Sequence, residues 1–206
     1  MSNEADCAGK HSKFGLMAMK EKKEGMIFVI SAPSGAGKST LAKRLIRACP
    51  SLRPSVSYTT RTPRKGEKNG TDYFFIGPED FRAKIKEGFF AEWAEVYGDY
   101  YGTSFEFLDG AVKKGNILLE IDTQGAFQIK EKYTDRAVLV FVSPPSLEEL
   151  RRRLTMRATE SGAVLRRRLA AARKEMEEGS RYDHFVINDS LEKATNQLKT
   201  IVSSYK

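Results

Sequence analysis

Lys38 and Ser39 stand near the end of a ten-residue stretch, "SAPSGAGKST", that is short of side chain and rich in groups able to hold an anion. From Ala32 it fits Ala-x-x-x-x-Gly-Lys-Ser, with Pro33, Ser34, Gly35, Ala36 and Gly37 between the first and last markers. Glycine lets a backbone take positive φ and approach a ligand closely, and a helix N-terminus offers unpaired amides with a partial positive charge. That combination suits phosphate. In such a loop the lysine reaches the outer phosphates and the serine hydroxyl can hold magnesium.

A second group of residues suits a second phosphate. In "SVSYTTRTPRKGEKNGTDYFF", Arg61 and Arg64 flank a proline that stiffens the turn, and Tyr73 follows a glycine-containing bend. Arginine matches phosphate with a planar fork, and tyrosine can add a hydroxyl hydrogen bond. Further on, "EWAEVYGDYYGTS" offers Glu92, Tyr101 and Thr103. A carboxylate can accept from both N1–H and the 2-amino group of guanine, a donor pair that adenine lacks, and a hydroxyl from Ser57 or Thr103 can donate to O6. This favours guanine over adenine.

Glu120 and Asp122 end the apolar run "ILLEID", where strand alternation sends both side chains to one face. Carboxylates there could organise the water around magnesium, bind guanine, or both.

These residues need a scaffold that brings distant segments to one edge. "MIFVI" at 26–30 reads as a strand buried on both faces, followed by a helix with Leu41, Leu45, Ile46 and Cys49 on its apolar side and Pro50 as its stop. Further strands are expected at 72–76, 116–122, 137–143 and 185–188, with helices at 79–87, 104–114, 146–158, 164–178 and 191–203. Alternation of this kind predicts an α/β fold with a central, mainly parallel sheet and helices on both faces. Residues 57–101 interrupt it with arginine, glycine and paired aromatics, as an inserted substrate lobe would. The Arg-rich helices after "FVSPPS" are positioned like a lid over the phosphate loop.

Composition narrows the class. At 206 residues one domain is expected, and the longest apolar runs are of strand length, so no membrane span is predicted. Residues 1–24 read as a loose tail without the apolar core of a signal peptide, and Met19 and Met26 leave the start site open. Cys7 and Cys49 make neither a disulfide framework nor a metal-ligand spacing, which fits a reducing cytoplasm. The formal charge of +8 concentrates in 151–174, a segment with no aromatic residue for stacking on bases, so nucleic acid is not the expected partner.

From about residue 25 to its end the chain closely resembles guanylate kinase. "SAPSGAGKST", "TTRTPRKGEKNGTDYFF", "EWAEVYGDYYGT", "LLEIDTQGA" and "VINDSLEKA" occur in the family's order and approximate spacing. The resemblance implies a phosphate-loop fold with a GMP-binding lobe at about 57–110 and a helical lid at about 151–175. It implies transfer of the γ-phosphoryl group of MgATP to GMP, with dGMP as a further acceptor, for purine nucleotide metabolism and GTP supply.

By matching position, the resemblance puts Arg61, Arg64, Tyr73 and Tyr101 on the GMP phosphate and Ser57, Glu92, Thr103 and Asp122 on guanine, with Glu120 beside them. Thr103 stands where a serine is common in the family, keeping the hydroxyl. Lys38 is implied on the ATP phosphates, Ser39 on magnesium with Thr40 beside it, and Asn188 near the adenine of ATP. Arg153, Arg157 and Arg168 are the implied lid arginines, acting with Lys38 as electrostatic catalysts. Ala158 departs from the glycine that often follows the arginine at 157. Oligomeric state, monomer or homo-oligomer, is left open.

Overall fold

The computed structural model describes residues 24–156 and 162–205. The expected tail up to residue 23 and the expected lid arginine Arg157 therefore lie outside the described residues.

Five strands form one wholly parallel sheet. β1 (Ile27–Ser31) is central, flanked by β7 (Ile117–Glu120) and β8 (Ala137–Ser143), with the two-residue β2 (Arg53–Pro54) and β9 (His184–Ile187) at the edges. Every residue of β1 and β8 is buried, as the continuous apolar runs require of a strand covered on both faces. Alternation divides β1 between two cores. Ile27 and Val29 pack with Leu108 and Val112 of α3 (Phe105–Val112) and with Ala126 and Ile129 of α4 (Thr123–Lys132). Phe28 and Ile30 pack on the other face against Leu41 and Leu45 of α1 (Lys38–Ala48) and Leu198 and Val202 of α7 (Leu191–Ser204).

The inserted lobe carries its own sheet, β4 (Tyr73–Phe75), β3 (Ser57–Thr59), β6 (Asp99–Ser104) and β5 (Phe90–Val96), in that order. The expected strand at 72–76 thus belongs here and not to the parallel sheet. It is too short to cross a core, and the named strand it pairs with is β3, itself three residues long. β5 and β6 form a hairpin turning at Tyr97 and Gly98, with φ of 57° and 90°. Two positive-φ residues in a two-residue loop match the natural twist of a hairpin. α2 (Pro78–Lys86) buries Phe81 against Phe90 and Tyr100 of this sheet.

The Arg-rich segment forms α5 (Leu147–Met156) and α6 (Gly162–Glu178), joined by a small cluster of Leu150, Leu154 and Ala172. Among the described residues no helix is long and apolar enough to cross a membrane.

The candidate nucleotide site

The phosphate loop leaves the C-terminal end of β1 and turns into α1 at Gly37. Gly35 and Gly37 hold φ of 93° and 97°, values that L side chains rarely adopt. Both are also crowded. A Cβ at Gly35 would come 2.8 Å from Leu154 Cδ2, and one at Gly37 would come 2.5 Å from Asn188 Nδ2.

Lys38, the first residue of α1, points back across the sheet edge and donates from Nζ to the carbonyl of Ile121 at 3.1 Å. Burial lowers its pKa, while Glu120, Asp122, Glu175 and Glu92 oppose the fall by favouring the charged ammonium. One cleft of about 340 Å³ joins this loop to the inserted lobe. Ala32, Ser34, Gly35, Gly37, Lys38, Ser39 and Thr40 line it on the loop side, and Ser57, Arg64, Tyr73, Glu92 and Tyr101 on the lobe side. Glu120 and Asp122 form its floor, and Arg168 reaches it from α6.

On the lobe side, Glu92 is only 2% exposed, and burial pushes its carboxyl up to about 8. Thr103 Oγ1 donates to Glu92 Oε1 at 2.6 Å and lies 3.0 Å from Ser57 Oγ. With Glu92 ionised, the single Thr103 proton is committed to it, so Ser57 supplies the other hydrogen bond. Thr103 does not line the cleft itself; it aims Glu92 from behind. Asp122 is not the end of β7, which stops at Glu120. It caps α4, accepting from the Gly125 amide at 2.9 Å, because a carboxylate at this position satisfies an otherwise unpaired helix N–H.

Arg61 is held beside the cleft. Its guanidinium meets both carboxylate oxygens of Glu67 at 2.9 and 3.0 Å and lies over the Tyr73 ring at 5.5 Å. Arg153 does not line the cleft either. It pairs with Glu149 at 2.8 Å and reaches the phosphate loop from α5. Asn188 is buried under the loop, and Pro33 and Ala36 shape the loop from behind.

Glu175 also lines the cleft, seven residues after Arg168 on α6 with buried Ala172 between them. Helical spacing puts all three on one face. Burial pushes the Glu175 carboxyl up to about 7, with Lys38 opposing that rise. In the sequence "RKEMEEGSR" looks like a solvated charged face, and only the stripe 168, 172, 175 marks this carboxylate. Raised carboxyls at 92 and 175 reduce the negative charge that four acids would otherwise bring to an anion site.

No group of three or more His, Cys, Asp or Glu among the described residues forms a metal cage. The donor set instead combines the exposed Ser39 hydroxyl with two nearby carboxylates, which suits a magnesium ion that keeps several waters and takes its remaining ligands from a substrate's phosphates.

The family model described as "Guanylate kinase" matches residues 24–205. A guanylate kinase of Geobacter metallireducens is 50% identical over 182 residues, covering 88% of this chain and 89% of its own. One from Myxococcus xanthus is 48% identical over 180 residues, covering 86% of each. The crystal structure of guanylate kinase from Anaplasma phagocytophilum is similar at a TM-score of 0.74 and 37% identity, over 89% of this chain and 87% of that one.

Proposed function

This chain belongs to the guanylate kinase family, and from that premise we propose how its residues divide the work between donor and acceptor. It is an ATP:GMP phosphotransferase, moving the γ-phosphoryl group of ATP to the phosphate of GMP and releasing ADP and GDP. The observation that carries the division is the shared cleft: a phosphate loop with Lys38 at one end and a buried Glu92 at the other.

GMP lies with guanine toward Glu92, Ser57 and Asp122, and Glu120 lies beside it. The Glu92 carboxylate accepts from N1–H and the 2-amino group, and Thr103 keeps it aimed. An adenine there would strand these buried polar groups, which costs several orders of magnitude in discrimination when a site is built around such hydrogen bonds. dGMP is accepted as well. Arg61, Arg64, Tyr73 and Tyr101 hold the GMP phosphate.

The acceptor needs no dedicated base. A phosphate monoester has its second pKa near about 6, so at neutral pH it is largely a dianion and attacks directly. One of its oxygens forms a bond to the γ-phosphorus while the bond to the bridging oxygen of ADP breaks, with the electron pair leaving on ADP. The protein overcomes the repulsion between two anions and holds them in line.

Lys38 and the amides of the loop hold the β and γ phosphates of ATP. Arg168 faces the transferring group from α6, and Arg153 and Arg157 complete the lid set. Ser39 would hold magnesium, with Thr40 beside it and Glu120 and Asp122 ordering its waters; the ion supplies charge neutralisation on the phosphates. Asn188 belongs to the donor half. The work is that of a cytoplasmic enzyme of purine metabolism, without nucleic acid as a partner.

The test is ADP release from MgATP with GMP, AMP, CMP and UMP offered separately, alongside Lys38→Ala. Release that requires GMP and vanishes in the variant supports the assignment. Release with another monophosphate, or none from folded protein, defeats it.

A further inference from the structure

Asn188 follows β9 and ties two parts of the molecule together. Its backbone amide donates to the Ser143 carbonyl at the end of β8, 2.8 Å away, which fixes it to the sheet. Its side-chain Nδ2 donates to the Ala36 carbonyl in the phosphate loop at 2.7 Å, and the residue is only 3% exposed. The same carbonyl meets Arg153 Nη1 at 3.4 Å, and Arg153 Nη2 donates to the Asn188 carbonyl at 2.9 Å. Glu149 aims that guanidinium, accepting from Nε at 2.8 Å.

The Ala36 carbonyl belongs to the peptide unit that also carries the Gly37 N–H. In a trans peptide those two groups point in opposite directions. With the carbonyl held down by Asn188, the Gly37 N–H is turned away from Asn188, and Gly37 lines the cleft. A flip of this peptide turns the φ of Gly37, which has no Cβ to resist it. Flipped, it would present a carbonyl oxygen to an anion. The buried hydrogen bond opposes that flip.

We propose that Asn188 is a positioning residue of the donor site, holding the Ala36–Gly37 peptide with its N–H turned to the ATP phosphates, and that Arg153 couples this latch to α5. This rests on reading the loop as the ATP-phosphate site. It differs from a contact with adenine in the part of the nucleotide that would register its loss.

The probes are MgATP, magnesium tripolyphosphate, which has phosphates and no base, and GMP, each titrated calorimetrically into the full chain and into Asn188→Ala and Asn188→Leu. The leucine variant fills a similar volume without the donor. The expected result is a loss of affinity of roughly tenfold, equal for MgATP and tripolyphosphate, with GMP unchanged. Loss for MgATP alone means that Asn188 reads the base, and overturns the proposal. So does no loss for either probe. An equal fall in GMP affinity in both variants marks a general loss of structure and overturns a specific role. Failure of the unaltered chain to bind MgATP overturns the donor-site reading beneath it, a result distinct from the others.

Discussion

Gly125 and Glu92 are in contact where no side chain fits between them: a Cβ on Gly125 would lie 2.5 Å from Glu92 Oε2 and 3.3 Å from its Cδ. Gly125 is in the first turn of α4 and Glu92 is on β5, so the helix end sets how far the carboxylate can withdraw from the cleft. Gly125→Ala is expected to push Glu92 off its hydrogen bond to Thr103 and raise KM for GMP by tenfold or more, with KM for ATP little changed. Steady-state kinetics with each substrate varied in turn checks this; an unaltered KM for GMP would refute the contact's importance.

Thr103→Val removes the hydroxyl that aims Glu92 while keeping its shape. A lost hydrogen bond to a charged group costs about 1.5–3 kcal/mol, so GMP affinity should fall by roughly 10- to 100-fold. Thr103→Ser should restore most of it. Equal affinity for GMP in the valine variant would show that Ser57 alone suffices.

GMP binding is expected to strengthen with pH. Glu92 is pushed up to about 8 in the substrate-free chain, and the proposed guanine contact calls for its ionised form, so on that proposal binding below this value releases a proton. Between pH 7 and 8 the acceptor phosphate is already a dianion, and the dissociation constant should fall by up to about tenfold per pH unit, then level off. Glu92→Gln should bind weakly with a flat profile. A flat profile in the unaltered chain would contradict the prediction.

Stability of the substrate-free chain should move the other way. The ordinary value for a glutamate is 4.5, and burial raises Glu92 to about 8 and Glu175 to about 7. The folded state therefore holds more protons than the unfolded one in this window. Stability from these two groups is fully present below about pH 4.5 and is lost as pH rises through 7 and 8. Each kcal/mol moves Tm by roughly 2–4 °C for a domain of this size. Thermal melts of Glu92→Gln and Glu175→Gln should show a smaller fall in Tm with pH than the parent.

Arg168→Ala should lower kcat by an amount corresponding to about 2–4 kcal/mol of transition-state stabilisation while leaving the GMP dissociation constant within about twofold. Turnover and equilibrium binding measured on the same preparation check the split. A proportional loss in both would place Arg168 on the acceptor and not on the transferring group.

The phosphate loop was legible because its constraint is local: strand, glycine curl and helix follow one another within ten residues. The lobe was harder. "EWAEVYGDYYGTS" yields Glu92, Tyr101 and Thr103 as chemistry, yet its two strands interleave polar and aromatic residues, and Tyr97-Gly98 is not one of the usual hairpin pairs such as Asn-Gly or Asp-Gly, so the hairpin is hidden from the pattern. α4 is hard to see in the sequence because "TQGAFQIKEK" is short and starts just after a strand, with a glycine in its first turn. That glycine lacks the Cβ that would collide with Glu92, a tertiary reason that no local pattern contains. The resemblance implies ligand roles for Asn188 and Arg153; beside these, their contacts with Ala36 lie 152 and 117 residues away in sequence, a pairing that spacing alone cannot supply.

The pairing of Ile30 with Glu120, side by side on β1 and β7, makes the sheet a ruler for the two halves of the reaction. Ile30 is seven residues before Gly37, the cap of α1, while Glu120 is two residues before the cap of α4. Substitutions within either strand can be absorbed by repacking. A one-residue insertion or deletion cannot: it would slide one helix start by about 3.3 Å against the other and, when it falls in β7, turn Glu120 to the opposite face. Variation in length should therefore be confined to the outer loops, because these two strands must keep their residue count for donor and acceptor to meet.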